Sequence, residues 1–314
     1  MKKINIIISL SVILLMSTSS MSVSGALPDN LVVYMDISHG ELNDTAENFE
    51  GNITAAGSVF NNPTTFGLAD GTNVFLLSGP LSAFTAAELT TISDWFGESG
   101  ARLLWVAGND DFDGDQPELA GNQVLEAVGS HLRVAGDAIN DNVNNDGRGY
   151  RVAVNTVVKD GTLNTIFNTG VTSVMMHGPS SILGFDNGAV VDLRTETISG
   201  VEVVLKSSEF GYAIDQDFTV GTFDYYSGLG VVNDTIPMMA VEDMGDNHYV
   251  IAAGEAQWAD WKNMYSTITE KGALGEDSAW NGGVHDGKTL MDNVLTWFGE
   301  EVSASEDDSD DGFL

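Results

Sequence analysis

Short runs of apolar residues recur along the chain, and each run ends in glycine, histidine or an acidic residue. The five clearest runs begin near residues 31, 74, 103, 173 and 249, and they show no polar alternation. Uninterrupted runs of this kind are typical of strands that are buried on both faces, as in a parallel sheet. The pattern therefore predicts an α/β domain with a doubly wound, mostly parallel sheet, in which these five runs form the core.

Segments with helical features separate several of these runs. Residues 45–60, 118–128 and 288–298 can each form a helix, and the clearest helix follows Thr85. Thr85 and Glu88 have the three-residue spacing of a capping box, in which each residue satisfies a free backbone N–H group of the first helical turn. Helices between parallel strands are the connections that a sheet of this class requires.

The second half of the chain contains more strands than helices. Residues 188–243 are rich in strand-forming positions, and the turn residues at 244–247 predict a hairpin into the last buried run. We therefore expect one domain over residues 29–300, with a β-rich insertion at about 188–243. The acidic segment 303–314 has almost no apolar content, and we expect it to be a disordered tail.

The amino-terminal segment has the composition of a cleavable secretory signal. Lys2 and Lys3 precede the apolar stretch 4–16, and small residues occupy 22–26. This order predicts a signal peptide over residues 1–26 and export to the periplasm or the cell surface. No cysteine is present to carry a lipid anchor, and no later apolar segment reaches the length of about 20 residues that a bilayer span needs.

The net charge of the chain excludes some classes of binding partner. Asp and Glu number 46 against 12 Lys and Arg, which gives a net charge of −34. Such a surface repels nucleic acid and anionic lipid, so nucleic-acid binding is excluded. A salty habitat and colloidal solubility explain the charge more simply than divalent-cation binding does. The absence of cysteine excludes thiol catalysis and thiolate metal sites.

The polar ends of the buried runs predict a common ligand site. In parallel sheets the carboxyl ends of the strands lie along one edge, and ligands bind in the crevice beside that edge. The predicted ligand-binding residues are Asp36, Ser38, His39, Gly40, Gly79, Asn109, Asp110, His177 and Glu255. We expect a non-catalytic extracytoplasmic protein that binds a small molecule, a glycan or an envelope protein in this crevice.

Two other functions remain open for the same residues. One is an exported hydrolase in which His39 or His177 acts with Asp36 or Glu255 as general acid and base, with or without a metal. A nucleophilic triad of Asp36, Ser38 and His39 is disfavoured, because residues so close in an extended segment alternate between faces and no G-x-S-x-G motif occurs. The other is a cell-envelope or surface-layer interaction protein.

A calcium site is the one cofactor that the sequence suggests. Asp111, Asp113 and Asp115 alternate around a glycine, and carboxylate oxygens at this spacing suit calcium. The sixth position of the loop is Gln116, whereas an EF-hand has glycine there. Residues 142–147 match the first half of the same loop but lack its final glutamate. Either site would be weak, and no glycine-rich phosphate-binding loop is present.

Three blocks of the sequence together resemble a known family. They are D-x-S-H-G after the first run, LLSGPLSAFTAAELTTISDWFGESGARLLWVAG, and VIAAGE with the closing helix MDNVLTWF. Over residues 31–298 the chain resembles secreted class I glutamine-amidotransferase-like domains of the flavodoxin-like superfamily. It is similar to the gliding-motility ABC-transport accessory and intraflagellar-transport type domains. The resemblance implies the fold and a binding or scaffold role.

The chain departs from that family at its catalytic position. Class I amidotransferases place a cysteine nucleophile after a central strand, whereas the run at 103–106 continues here into Ala107, Gly108, Asn109 and Asp110. Because the chain contains no cysteine, amidotransferase activity is excluded.

Overall fold

A computed structural model describes residues 26–42, 44–219, 221, 223–268 and 282–310, without the side chains of Asp113 and of 307–310. The predicted signal peptide thus lies outside the described residues, except for Ala26. The strands are β1 Val32–Met35, β2 Val59–Asn61, β3 Val74–Ser78, β4 Arg102–Ala107, β5 Leu132–Val134, β6 Ala138–Asp141, β7 Arg151–Val154, β8 Thr156–Val157, β9 Val174–His177, β10 Ile182–Asp186, β11 Ala189–Val191, β12 Val201–Lys206, β13 Gly211–Ile214, β14 Pro237–Asp243 and β15 His248–Ala253. The helices are α1 Glu47–Ala56, α2 Ala86–Phe96, α3 Pro117–Ala127, α4 Thr162–Phe167, α5 Tyr225–Gly228 and α6 Gly287–Asp310.

The central sheet has eight strands in the order β2-β1-β3-β4-β15-β14-β12-β8. Its first five strands pair in parallel. The last three continue it antiparallel, beginning with the predicted hairpin of β14 and β15. The prediction of an α/β fold with a mostly parallel central sheet is therefore confirmed.

The fourth predicted core strand, near residue 173, was assigned to the wrong sheet. β9 pairs antiparallel with β7 in a separate two-stranded sheet. Its apolar residues are nonetheless buried, because Val174 and Met176 belong to a core cluster that also includes α6. A buried apolar run therefore predicted burial correctly, but it did not identify the partner strand.

The fifth parallel strand is instead β2, in a segment predicted as the end of the first helix. Helix α1 ends at Ala56 because Gly57 adopts φ 109°, a left-handed conformation that favours glycine, and caps the helix. The chain then pairs with β1 as the edge strand of the sheet.

Hydrophobic clusters cover both faces of the sheet. Alternate residues of β4 belong to different clusters, with Leu103 and Trp105 in one and Leu104 and Val106 in the other. The first cluster includes buried residues of α1, α4 and α6, and the second includes those of α2 and α3. Since successive side chains of a strand point to opposite faces, helices pack against both sides of the sheet.

The predicted capping box of α2 is confirmed, since the Thr85 N–H group donates to the Glu88 carboxylate and the Glu88 N–H group to Thr85 Oγ1. Helix α6 extends to Asp310, within the segment expected to be disordered from 303 onward. Its continuation is held against the domain, because Ser303 accepts a hydrogen bond from Asn30 and Ser305 accepts one from Ala101. Among the described residues, no helix has the length and apolarity to cross a bilayer.

Candidate functional site

An open cavity of about 530 Å³ lies beside the carboxyl end of β4. Its volume is within the range of about 300 to 1,000 Å³ that is usual for small-molecule sites. Its lining residues are Leu42, Asn109, Asp110, Phe112, Asp115, Asn140, Tyr150, His177, Gln216 and Trp261. Aromatic rings therefore face amide and carboxyl groups across one cavity, which we call the aromatic cavity.

His177 lies between two other rings of this cavity. Its imidazole contacts Tyr150 edge to face at a centroid distance of 5.2 Å and Trp261 at 5.7 Å. Burial, together with the nearby charges of Lys262 and Arg151, lowers the pKa of His177 to about 4. The imidazole is therefore neutral at pH 7 and can both donate and accept hydrogen bonds.

Asp110 provides one of the two carboxyl groups that line the cavity, together with Asp115. Its N–H group donates to the Gly178 carbonyl at 2.7 Å, and its Oδ2 accepts from Gln216 Nε2 at 3.2 Å. The carboxylate packs so closely on Gly178 that a Cβ there would lie 2.3 Å from Oδ2, so only glycine fits. Burial raises the pKa of Asp110 to about 6.

Glu255 lies behind this cavity and does not line it. Its carboxyl group follows β15, is fully buried, and accepts a hydrogen bond from the main-chain N–H of His177. Its Oε1 has no hydrogen-bond partner among the described residues. Burial raises the pKa of Glu255 well above its ordinary value. The carboxyl group therefore fixes the position of His177 through the backbone.

The polar residues after β1 form a different and closed cluster. His39 Nδ1 lies 2.6 Å from Asp36 Oδ2, and Ser38 Oγ donates to Asp36 Oδ1 at 2.7 Å. Ser38 also approaches Nδ1, at 3.1 Å. A catalytic triad needs serine and aspartate on opposite ring nitrogens, so this arrangement is not that of a triad.

The other side of the His39 ring is also occupied. The imidazole stacks on Phe84 at a centroid distance of 3.7 Å, and its Nε2 lies 3.6 Å from the Glu88 carboxylate. The Glu41 carboxylate accepts from the His39 N–H group at 3.0 Å. Both ring nitrogens thus have partners within the chain, and we call Asp36, Ser38, His39 and Glu41 the closed cluster.

Gly40 and Gly79, two of the predicted ligand-binding residues, shape the backbone between the closed cluster and the aromatic cavity. Gly40 has φ 70° and turns the chain after His39. Gly79 donates its N–H group to the Ala107 carbonyl at 2.8 Å and accepts from the N–H of Leu42 at 3.2 Å, which places Leu42 in the cavity wall.

The predicted ligand-binding residues therefore do not line one crevice. Asn109, Asp110 and His177 meet at the aromatic cavity, Glu255 supports it, and the residues after β1 pack among themselves. Sequence reasoning missed the cavity residues Asn140, Tyr150, Gln216 and Trp261. In the sequence, the feature that could have indicated them is Trp261, a tryptophan within a polar turn segment. In the structure this residue is 45% exposed.

Asp111 and Asp115, two of the three predicted calcium ligands, lie in different surroundings. Asp111 Oδ2 accepts from the N–H groups of Gln216 at 2.7 Å and Asp217 at 3.1 Å. Its carboxylate lies within 4.8 Å of those of Asp215 and Asp217, whereas Asp115 lines the aromatic cavity. The side chain of Asp113 is outside the described part of the chain, so calcium binding by the original triple stays a prediction.

No protein-family model and no curated protein matches the chain. It is similar to the solved mmIFT52 N-terminal domain, with 12% identity and a TM-score of 0.54 over 85% of this chain and 96% of that one. It is also matched to PurLQS from Thermotoga maritima, with 12% identity and a TM-score of 0.37 over 85% of this chain and 99% of that one. The first similarity supports the resemblance to intraflagellar-transport type domains at the level of the fold alone.

Proposed function

We propose that this chain is a non-catalytic extracytoplasmic protein that binds a neutral glycan of one or two sugar rings in the aromatic cavity. The observation that supports it most is the pairing of an aromatic wall with amide and carboxyl groups in a cavity of about 530 Å³. Aromatic faces bury the apolar faces of sugar rings, while Asn and Gln side chains both donate and accept hydrogen bonds.

The charges around the cavity favour a neutral ligand. Asp110 and Asp115 line it, and the chain as a whole carries −34, so anionic ligands are repelled. Lys262 Nζ lies 4.3 Å from the centroid of the Trp261 ring, and the Arg151 guanidinium lies 5.4 Å from that of Tyr150. The positive charges of Lys262 and Arg151 therefore disfavour a cationic ligand beside these rings.

The proposal extends to the fold and the location of the chain. The parallel strands follow the order β2-β1-β3-β4-β15, which matches the doubly wound, flavodoxin-like order. Together with the signal-like segment 1–26, this supports an exported, flavodoxin-like binding domain.

A hydrolase that uses the same cavity is the second candidate. The observation in its favour is the pKa of Asp110, which burial raises to about 6, because a carboxyl group with such a pKa can transfer a proton near neutral pH. Glycoside hydrolysis uses two carboxyl groups beside the scissile bond. Asp110 and Asp115 both line the cavity, whereas Glu255, the carboxyl group named in the sequence-based hypothesis, does not.

Binding and hydrolysis can be separated with one panel of neutral oligosaccharides, comprising cello-, xylo-, malto-, manno- and chito-oligosaccharides. We expect calorimetry to detect binding of one sugar class, and chromatography to recover that sugar intact. Trp261→Ala should abolish binding, and Trp261→Phe should retain part of it. Val59→Ala is the control, since Val59 is an exposed apolar residue of edge strand β2. Cleavage that is lost in Asp110→Asn would establish the hydrolase instead, and a lack of binding across the panel would refute the proposal.

A further inference from the structure

A second, more enclosed cavity lies next to the aromatic cavity. It measures about 50 Å³, enough for a single ion with few waters, and it is lined by the carboxylates of Asp111, Glu118, Asp217 and Asp224. None of the described residues that line it is basic. Four potential negative charges therefore face one small space.

Two of these carboxylates are buried with an unused oxygen. Asp111 is 2% exposed and Glu118 is 6% exposed. Asp111 Oδ1 and Glu118 Oε2 have no hydrogen-bond partner among the described residues, and no ion pair found in the described part of the chain includes any of the four carboxylates. Buried carboxylates are ordinarily paired, hydrogen-bonded or bound to a metal.

Gly136 forms the base on which two of the carboxylates meet. A Cβ at this position would lie 2.6 Å from Asp224 Oδ1 and 3.2 Å from Glu118 Oε1. Any side chain here would therefore fill the space between the carboxylates. The glycine keeps this space open.

The electrostatics of the cavity are unfavourable without a cation. When they are ionised, the carboxylates of Asp111, Glu118, Asp217 and Asp224 repel one another, because they line one small cavity whose described lining includes no basic residue. A bound divalent ion would offset this repulsion, because it becomes the largest charge in the site.

We propose that Asp111, Glu118, Asp217 and Asp224 bind one calcium ion. No three of these four described carboxylates have oxygens that all lie within 4.8 Å of one another, so their side chains would draw together around the ion. The site offers oxygen ligands alone, which suit a hard cation, and calcium accepts the irregular set of six to eight oxygens that carboxylates from separate loops supply. It shares only Asp111 with the site predicted from Asp111, Asp113 and Asp115, because the fold brings the other three ligands from α3 and from residues 217 and 224.

The ion would order one wall of the aromatic cavity. Asp111 and Asp217 line the proposed cation site. Their sequence neighbours Asp110 and Gln216 line the aromatic cavity, where the Gln216 side chain donates a hydrogen bond to the Asp110 carboxylate. The N–H groups of Gln216 and Asp217 both donate to Asp111. Calcium would therefore fix Gln216 against Asp110 and strengthen glycan binding, a consequence that rests on the proposed function.

The cation site is tested without any sugar. The mature chain is stripped with a chelator and titrated with CaCl₂ and with MgCl₂ at constant ionic strength, by calorimetry and by thermal melting. We expect one calcium per chain and a rise in melting temperature that magnesium does not match. Glu118→Gln and Asp224→Asn should each weaken calcium binding by about tenfold or more. Asp113→Asn and the distant Asp70→Asn are the controls, and both should bind as the unaltered chain does.

The same variants exclude a trivial loss of folding. Because Glu118→Gln and Asp224→Asn remove repulsion, each should melt at or above the temperature of the unaltered chain in chelator, and below it in calcium. No calcium binding, or binding that is lost in Asp113→Asn and retained in Asp224→Asn, would overturn the assignment. Sugar affinity that is unchanged by calcium would refute the coupling, whereas absence of all sugar binding would refute the proposed function and leave the calcium titration to decide the site.

Discussion

The carboxyl edge of the sheet has a closed half after β1 and an open half after β4. Similar polar residues follow the strand in both halves, but the two halves differ in structure. After β1, an aspartate, a serine and a histidine follow a buried strand, and after β4 an asparagine and an aspartate do so. The first group forms the closed cluster, in which His39 Nδ1 is hydrogen-bonded to Asp36 and Nε2 lies 3.6 Å from the Glu88 carboxylate. The second group lines the open aromatic cavity.

The difference comes from the loops that cover each half. The loop after β3 donates the N–H groups of Leu81 and Ser82 to the His39 carbonyl, and it places Phe84 on the imidazole. The space beside the carboxyl ends of β1 and β3 is thus filled by the chain itself. Beside the carboxyl end of β4, Trp261, Tyr150 and Asp110 line an open cavity instead. Polar residues at strand ends therefore indicate a ligand site only where no loop of the chain already contacts them and forms hydrogen bonds with them.

The largest effect should come from Phe84→Ala, in the closed half. Phe84 is buried and stacks on His39, so its loss leaves a cavity and should lower the free energy of unfolding by about 3 kcal/mol. Trp261→Ala, in the open half, should lower it by less than about 1 kcal/mol because that side chain is half exposed. Chemical denaturation measures both, and equal losses would remove the distinction between the two halves.

The second effect concerns Asp36, the acceptor of the closed cluster. Asp36→Ala leaves the Ser38 hydroxyl and His39 Nδ1 without their buried acceptor, so we expect a loss of about 2 kcal/mol. Sugar binding at the aromatic cavity should be unchanged in the folded variant. A folded Asp36→Ala protein that no longer binds sugar would show that the two halves form one site.

The third effect is the pH dependence that the closed cluster imposes. Burial, together with the charge of Asp36, raises the pKa of Glu41 from 4.5 to about 7. The folded state therefore holds a proton that the unfolded state has lost, so this contribution to stability is complete below pH 4.5 and disappears as the pH rises through 7. Melting in chelator between pH 4.5 and 7.5 should show a smaller decrease for Glu41→Gln than for the unaltered chain. Parallel curves would contradict the shift.

The smallest effect should come from Asp260, beside the aromatic cavity. Helix α1 has no side-chain cap of its own, and the Asp260 carboxylate accepts from the N–H groups of Glu47 and Asn48 instead. Asp260→Ala should lower stability by about 1 kcal/mol. Because Trp261 is the next residue, the variant should also bind sugar more weakly. An unchanged affinity would show that Trp261 is positioned without this cap.

The sequence predicted the elements whose cause is local. The Thr85 and Glu88 capping box and the hairpin into β15 are examples, since a few neighbouring residues determine each. The position of β9 was missed because an apolar run does not specify its partner. The parallel position of β2 was missed because Gly57 ends α1 within a segment that has helical periodicity.

The candidate site was predicted only where strand ends provide it. Asn109, Asp110 and His177 follow or end strands, and all three line the cavity. Tyr150, Gln216 and Trp261 come from distant segments that only the tertiary fold brings together. Long-range contacts of this kind also assemble Glu118 and Asp224 around Gly136, which no spacing in the sequence could indicate.

The central claim is that the aromatic cavity is the ligand site, and tryptophan indole NMR signals test it most directly. The chain has six tryptophans, of which Trp261 lines the aromatic cavity and Trp95 lines a separate hollow of about 300 Å³ beside the amino end of β3. Trp261→Phe and Trp95→Phe assign the two signals. On addition of the sugar that binds, we expect the Trp261 signal to shift most and the Trp95 signal to stay in place. A dominant shift of Trp95, or binding that leaves Trp261 unmoved, would contradict the account.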